Sequence, residues 1–157
     1  MIIGIIGSGG REHAICEKIS KSKKVKKIYC FPGNAGTSSI AKNIKINIDD
    51  FHKIKEFVIK NKIDLLVVGP EKPLVNGIVN YFKNHNIKIF GPEKIASQLE
   101  GSKTFTKKIC EKYNIPTAKF ADLKNLKEAN LFLKKSNFPI VIKADGLASG
   151  KGVYICE

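Results

Sequence analysis

The chain has 157 residues, 43% of them hydrophobic, enough to bury a core in one domain or one and a fraction. Lys and Arg outnumber Asp and Glu by 28 to 14, a net charge of +14, but the lysines are scattered among Ile and Asn without interleaved aromatics for base stacking, so the excess favours anionic metabolites over nucleic acid. Residues 1–7 are too short and too glycine-interrupted for a leader or a membrane span, and Cys16, Cys30, Cys110 and Cys156 contain no Cys-x-x-Cys pair, so the expectation is a cytoplasmic protein with no membrane contact, zinc site or disulfide framework.

In chain order, the apolar run at 2–6 reads as a buried strand and 11–19 as a helix turning Ala14, Ile15 and Ile19 inward. Strands are expected at 28–31 and 45–48. Phe51, Ile54, Phe57 and Val58 then mark one face of a helix that Asp49 or Asp50 caps. A strand at 65–68, a helix over 74–82 and a strand at 88–90 complete an alternation that specifies an α/β fold, a doubly wound parallel sheet with helices on both faces. After Gly91-Pro92 the character changes. Phe105, Ile109 and Tyr113 recur at four-residue spacing on a helix that ends before Pro116, and a further helix over 126–134 leads into a strand ending at Lys143. A new unit begins near Ser102, giving domains at 1–101 and 102–157.

Ligands of open parallel sheets gather beyond the carboxyl ends of the strands, and glycine and proline punctuate those ends: Gly7-Ser8-Gly9-Gly10 after the first strand, Pro32-Gly33-Asn34-Ala35-Gly36-Thr37 after the second, Gly69-Pro70-Glu71 after the fourth. Gly7 and Gly9 fit the start of a Gly-x-Gly-x-x-Gly dinucleotide fingerprint, but Glu12 holds the third glycine's place and no ribose-binding carboxylate ends the second strand. What remains is a helix start with exposed N–H groups at Gly9 and Gly10 and a cation at Arg11, a cradle for one phosphate. Glu12 and His13 are adjacent on a helix and so point apart, which argues against an acid-base pair. Asn34 and Thr37 offer groups suited to sugar hydroxyls, and Glu71 suits an amine or hydroxyl. His52 and His85 lie among surface lysines and asparagines.

The richest stretch is Pro139-Ile140-Val141-Ile142-Lys143-Ala144-Asp145-Gly146-Leu147-Ala148-Ser149-Gly150-Lys151-Gly152-Val153. A strand ends on a lysine, a loop with three glycines and a second lysine follows, and β-formers resume. Glycines let main-chain N–H groups approach an anion, and two ammonium groups supply the charge a polyphosphate requires. A Walker A loop is excluded by spacing: Gly146 to Gly150-Lys151 is one residue short, and Gly152 stands where a magnesium-binding Ser or Thr belongs. A phosphate-covering hairpin fits better, the alternative being an ordinary hairpin turn.

Taken together, Gly7 to Ala14, Pro32 to Thr37, Val68-Gly69-Pro70-Glu71 with Pro73-Leu74-Val75 and Gly77, Leu99-Glu100-Gly101-Ser102-Lys103, and Lys143 to Val153 resemble, in order, the motifs of phosphoribosylamine-glycine ligase, also called glycinamide ribonucleotide synthetase, a member of the ATP-grasp superfamily. The resemblance implies a Rossmann-like pre-ATP-grasp domain followed by the start of an ATP-grasp domain. It implies ATP and Mg2+ as cofactors and 5-phosphoribosylamine and glycine as substrates, joined through a glycyl phosphate to give glycinamide ribonucleotide in purine synthesis. By the same resemblance, Lys103 and Lys143 sit on nucleotide phosphates, with Lys143 catalytic. Gly146, Ser149, Gly150, Lys151 and Gly152 belong to a mobile flap, and Gly9, Gly10, Arg11, Glu12, Asn34, Thr37 and Glu71 hold phosphoribosylamine.

The family pattern continues past residue 157 with an Arg-Phe-Gly-Asp-Pro-Glu-like segment bearing magnesium ligands. The resemblance is therefore to an amino-terminal part, which on its own is expected to lack ligase activity. Two other readings stay open: another ATP-grasp carboxylate-amine ligase, which need not share the Pro-Gly-Asn-Ala-Gly-Thr loop, and a non-catalytic nucleotide- or phosphosugar-binding module.

Overall fold

Strand β1 (Ile2–Gly7) is apolar along nearly its whole length because it is covered from both sides. In the computed structural model, which describes residues 1–148 and 150–157, it lies at the centre of a five-stranded sheet with β2 (Lys27–Pro32), β3 (Lys42–Asn43), β4 (Leu65–Val68) and β5 (Ile89–Phe90), in the order β3-β2-β1-β4-β5. The pairings are parallel: Ile3 of β1 lies opposite Ile28 on one side and Leu65 on the other. Alternation then divides the side chains between two cores. Ile3, Ile5, Ile28 and Cys30 face helix α1 (Gly10–Ser20), which contributes Cys16. Ile6, Tyr29, Phe31, Leu66 and Val68 face α2 (Phe51–Lys60) and, beyond a short helix α3 (Glu71–Val75), α4 (Ile78–Lys83), which supply Ile54, Val58, Ile78, Val79 and Phe82. Each such burial contributes about 1.5–3 kcal/mol. The doubly wound parallel sheet expected from the sequence is the one observed.

Three local expectations are corrected. The third strand is Lys42–Asn43, not 45–48, because Ile46 donates its N–H to the carbonyl of Ile44 at 2.7 Å, and this tight turn takes the backbone off the ladder. The helix expected over 74–82 is two helices, broken at Gly77, whose φ of +90° is left-handed. On α1 the inward face carries Glu12 and Cys16, with Ile15 and Ile19 half-buried, whereas Ala14 is exposed. Helix α5 (Lys94–Gly101), not among the expected elements, leaves Ile95 and Leu99 exposed.

The described chain divides into two compact units, Met1–Ser97 and Gln98–Glu157. In the second, α6 (Lys103–Lys112) starts at Ser102, whose hydroxyl accepts from the N–H of Phe105 at 3.0 Å. Helix α7 (Leu126–Leu133) starts at Asn125 in the same way, accepting from Glu128 N–H. Strands β6 (Ile140–Lys143) and β7 (Val153–Cys156) form an antiparallel pair with Lys143 opposite Val153, and Ala144 N–H donates to Gly152 O at 2.8 Å just beyond the ladder. Among the described residues no helix is long and apolar enough to cross a membrane.

Candidate functional site

The loops after β1, β2 and β4 meet at the carboxyl end of the first unit's sheet. Glu12, in the first turn of α1, is only 4% exposed, and its Oε2 accepts from the N–H of Gly9 at 2.6 Å. The carboxylate packs so closely on the neighbouring backbone that a Cβ on Gly7 or Gly69 would run into it and one on Gly9 would press against it, which suits glycine at these positions. The exposed amide expected at Gly9 is therefore engaged by Glu12. At Gly10 the chain is exposed, with open space where a Cβ would stand.

Arg11 reaches from α1 to the β4 loop. Its Nη1 donates to Gly69 O at 2.5 Å and its Nη2 to Glu71 Oε1 at 2.7 Å. This hydrogen bond, together with Glu71's own amide, holds the Glu71 carboxyl below the usual carboxylate range against the upward pull of burial. Both side chains stay open to solvent, 58% and 40% exposed, so as a stabilising contact the pair is worth no more than about 1 kcal/mol. Its importance is geometric.

Asn34 ties the second loop to the first: Nδ2 donates to Ser8 O at 2.9 Å and Gly9 O at 3.1 Å, while Oδ1 accepts from Thr37 N–H at 2.9 Å. Thr37 is fully buried. Its hydroxyl accepts from Asn34 N–H at 2.8 Å and shares its proton between Asn34 O at 3.0 Å and Asn43 Oδ1 at 2.8 Å. Asn43, on β3, also donates from Nδ2 to Asn34 O at 2.7 Å. The structure thus gives Thr37 and Asn34 the work of shaping the loop. Asn43 was not legible as part of this network, because its strand is two residues long and its partners lie nine and six positions earlier. The His13 ring packs against Gly36, where a Cβ would strike it, and so points away from the Glu12 carboxylate, as adjacent helix positions require.

In the second unit, Lys143 closes β6 and is exposed, as is Lys151. Gly146 and Gly150 have φ of +96° and +77° with open space around them. Gly152 is different, since its backbone is crowded by the methyl groups of Ala144 and Ala148. Lys103, at the start of α6, donates its Nζ to Gly146 O at 2.8 Å. Ser149 lies outside the described residues. One residue here was not singled out by sequence. Asp145 accepts through Oδ1 from Lys103 N–H at 2.7 Å and Thr104 N–H at 3.3 Å, and through Oδ2 from Ser102 Oγ at 2.9 Å. Burial pulls its carboxyl up, but these hydrogen bonds and one from Gly146 N–H bring it below the usual range. Exposed ammonium groups beside left-handed, unobstructed glycines are a donor set that fits a polyphosphate. Among the described residues no group of three metal-ligating side chains occurs.

Comparison with known proteins agrees along the whole chain. Residues 1–100 match the family described as phosphoribosylglycinamide synthetase, N domain, and residues 101–157 match phosphoribosylglycinamide synthetase, ATP-grasp (A) domain. The chain is 55% identical over 157 residues to the phosphoribosylamine–glycine ligase of Clostridium acetobutylicum, covering 100% of this chain and 38% of that protein. The crystal structure of phosphoribosylamine–glycine ligase from Thermotoga maritima superposes with a TM-score of 0.75 at 35% identity, over 99% of this chain and 36% of that one. The biotin carboxylase domain of the 2-oxoglutarate carboxylase of Hydrogenobacter thermophilus, solved with MgADP, shares the fold at 19% identity with a TM-score of 0.79, over 99% of this chain and 37% of that one. The chain thus spans little more than a third of the length of the relatives it matches. With its two halves matched in order from the first residue to the last, the chain belongs to the phosphoribosylglycinamide synthetase family.

Proposed function

We propose that this chain provides the amino-terminal part of an ATP-dependent ligase that joins glycine to 5-phosphoribosylamine through a glycyl phosphate, in the cytoplasm, as an early step of purine synthesis. The observation that carries this reading is the convergence of three strand-end loops, cross-linked by Arg11 and Asn34, on one rim of a parallel sheet. Arg11, Gly10 and Glu71 offer this rim's charged and open groups to the phosphate, ribose and amine of phosphoribosylamine. Glu12 and Gly9 fix the turn from which Arg11 projects, and Asn34 and Thr37 act through the loop they fold.

The second unit carries the nucleotide side of the reading. ATP, held with magnesium, would supply the phosphoryl group that activates the glycine carboxylate. Lys103, Lys143 and Lys151 would bind its phosphates, Gly146 and Gly150 would let the backbone approach them, and Ser149 and Gly152 would belong to the same phosphate-covering loop. Lysines suit this work because a transferring phosphoryl group needs charge stabilisation and positioning more than a covalent nucleophile.

Calorimetric titration with ribose 5-phosphate tests the assignment. Arg11→Ala should weaken binding by roughly 1.5–3 kcal/mol, the range for a charged hydrogen bond, and Lys143→Ala should leave it unchanged. Equal affinities in the wild type and the Arg11 variant, or equal losses in both variants, would place the phosphosugar elsewhere.

A further inference from the structure

We propose that Asp145 is a positioning residue for nucleotide binding: it fastens the entry of the glycine-rich loop to the first turn of α6 and so fixes the frame in which Lys103 and Lys143 meet a polyphosphate. This rests on the nucleotide reading given above. Helix α6 already has a cap of its own, since Ser102 Oγ accepts from Phe105 N–H. Two further donors of its first turn, Lys103 N–H and Thr104 N–H, are satisfied by a carboxylate some forty positions later, and the same carboxylate accepts a hydrogen bond from the Ser102 hydroxyl. The next residue, Gly146, accepts from the Lys103 ammonium.

The backbone on the other side of Asp145 is equally constrained. Lys143 pairs with Val153, and Ala144 donates to Gly152. Residues 143–146 are therefore held between a strand ladder and a helix terminus, so the first left-handed position, Gly146, closes this anchor and the second, Gly150, comes after it. An anionic side chain among Lys103, Lys143 and Lys151 would ordinarily repel a polyphosphate. Here its charge is directed into N–H donors at the positive end of a helix, which leaves the ammonium groups to face the ligand. Lys103 at present donates to a neutral carbonyl, and a phosphate oxygen, being charged, is the stronger acceptor. Because Asp145 grips the backbone of Lys103 itself, the first residue of α6 and the first residue of the loop keep one spacing while that exchange takes place.

The test uses the 157-residue chain labelled with 15N, with MgATP as the probe. Asp145→Ala should accelerate amide exchange at Lys103 and Thr104 at least tenfold, leave the β6–β7 ladder amides unchanged, and weaken MgATP at least tenfold. Asp145→Asn keeps an acceptor oxygen in place and should restore most of the protection and part of the affinity. If the Ala variant also loses its ladder protection, the Asn variant carries the comparison, with smaller losses expected at the same amides and in affinity. Unchanged exchange at Lys103 and Thr104 would overturn the anchor. Faster exchange there with unaltered MgATP affinity would reduce Asp145 to a structural cap and overturn its positioning role. A wild-type chain that takes up no MgATP refutes the nucleotide reading itself, an outcome distinguished from the others by appearing before any substitution is made.

Discussion

Glu71 stands at the point where the β4 loop meets Arg11, and its ionisation governs that junction. The Arg11 hydrogen bond lowers its folded pKa, so its contribution is complete above the ordinary glutamate range and is lost as pH falls through the folded value. An NMR titration of the Glu71 carboxyl carbon should give a lower midpoint in the wild type than in Arg11→Ala. The same midpoint in both proteins would mean that Arg11 is not the cause. The rim's charged residues were legible because clusters of glycine and proline follow β1, β2 and β4 in the sequence. Less legible was what each side chain does there. Glu12 turns back on Gly9, and Thr37 sinks beneath its own loop, and neither is encoded in spacing. At Cys30 the sequence indicated only a free thiol; burial, with Cys16 3.9 Å away, pushes it up to about 12, so this pair is inert packing.

At the scale of elements, β1, β2 and β4 were readable as continuous apolar runs because both of their faces are covered. The third strand misled because Ile44, Ile46 and Ile48 alternate as a strand would, yet all three are half-buried against the core shared with α2 and α4 from a backbone that has already turned. The break between α3 and α4 was hidden by composition, since a single glycine inside an apolar periodicity also occurs in unbroken helices. Its φ of +90° is decisive. Gly77→Ala should cost about 1–2 kcal/mol, the penalty for a Cβ in left-handed backbone, because the nearest atoms, those of the Lys94 side chain at 3.3 Å, are able to move. A lowered urea midpoint by circular dichroism is the expected result. A variant as stable as the wild type would show that the two helices merge without penalty.

Across the whole molecule, the first unit is organised about a strand with almost no tolerance for added volume. A Cβ on Gly4 would lie 2.6 Å from Leu66 Cδ2 and 3.2 Å from Phe31 Cε2. Both side chains are fully buried, and Phe31 is braced edge-on by Phe57 with ring centres 5.4 Å apart. Gly4→Ala should therefore destabilise by about 1–3 kcal/mol through overpacking, again read from the urea midpoint. An unchanged midpoint would show that this face of the sheet yields. The overall charge of +14 affects the molecule differently, by drawing anions towards it without choosing among them. On the proposed function, choice rests with the loops.

The bond between Asp145 and the start of α6 also bears on how the chain comes into being. Translation delivers residues 102–104 well before residue 145, so the growing chain holds a helix whose first turn is secured by local bonds such as that to Ser102 and not yet by Asp145. Closing a loop of that length is a late event that local helix formation does not need to await. The beginning of α6 is thus provisional on the ribosome and becomes permanent only when the hairpin arrives. A pause in synthesis that keeps residue 145 inside the ribosome would leave Lys103 on a fraying end, whereas emergence of the hairpin would fix it.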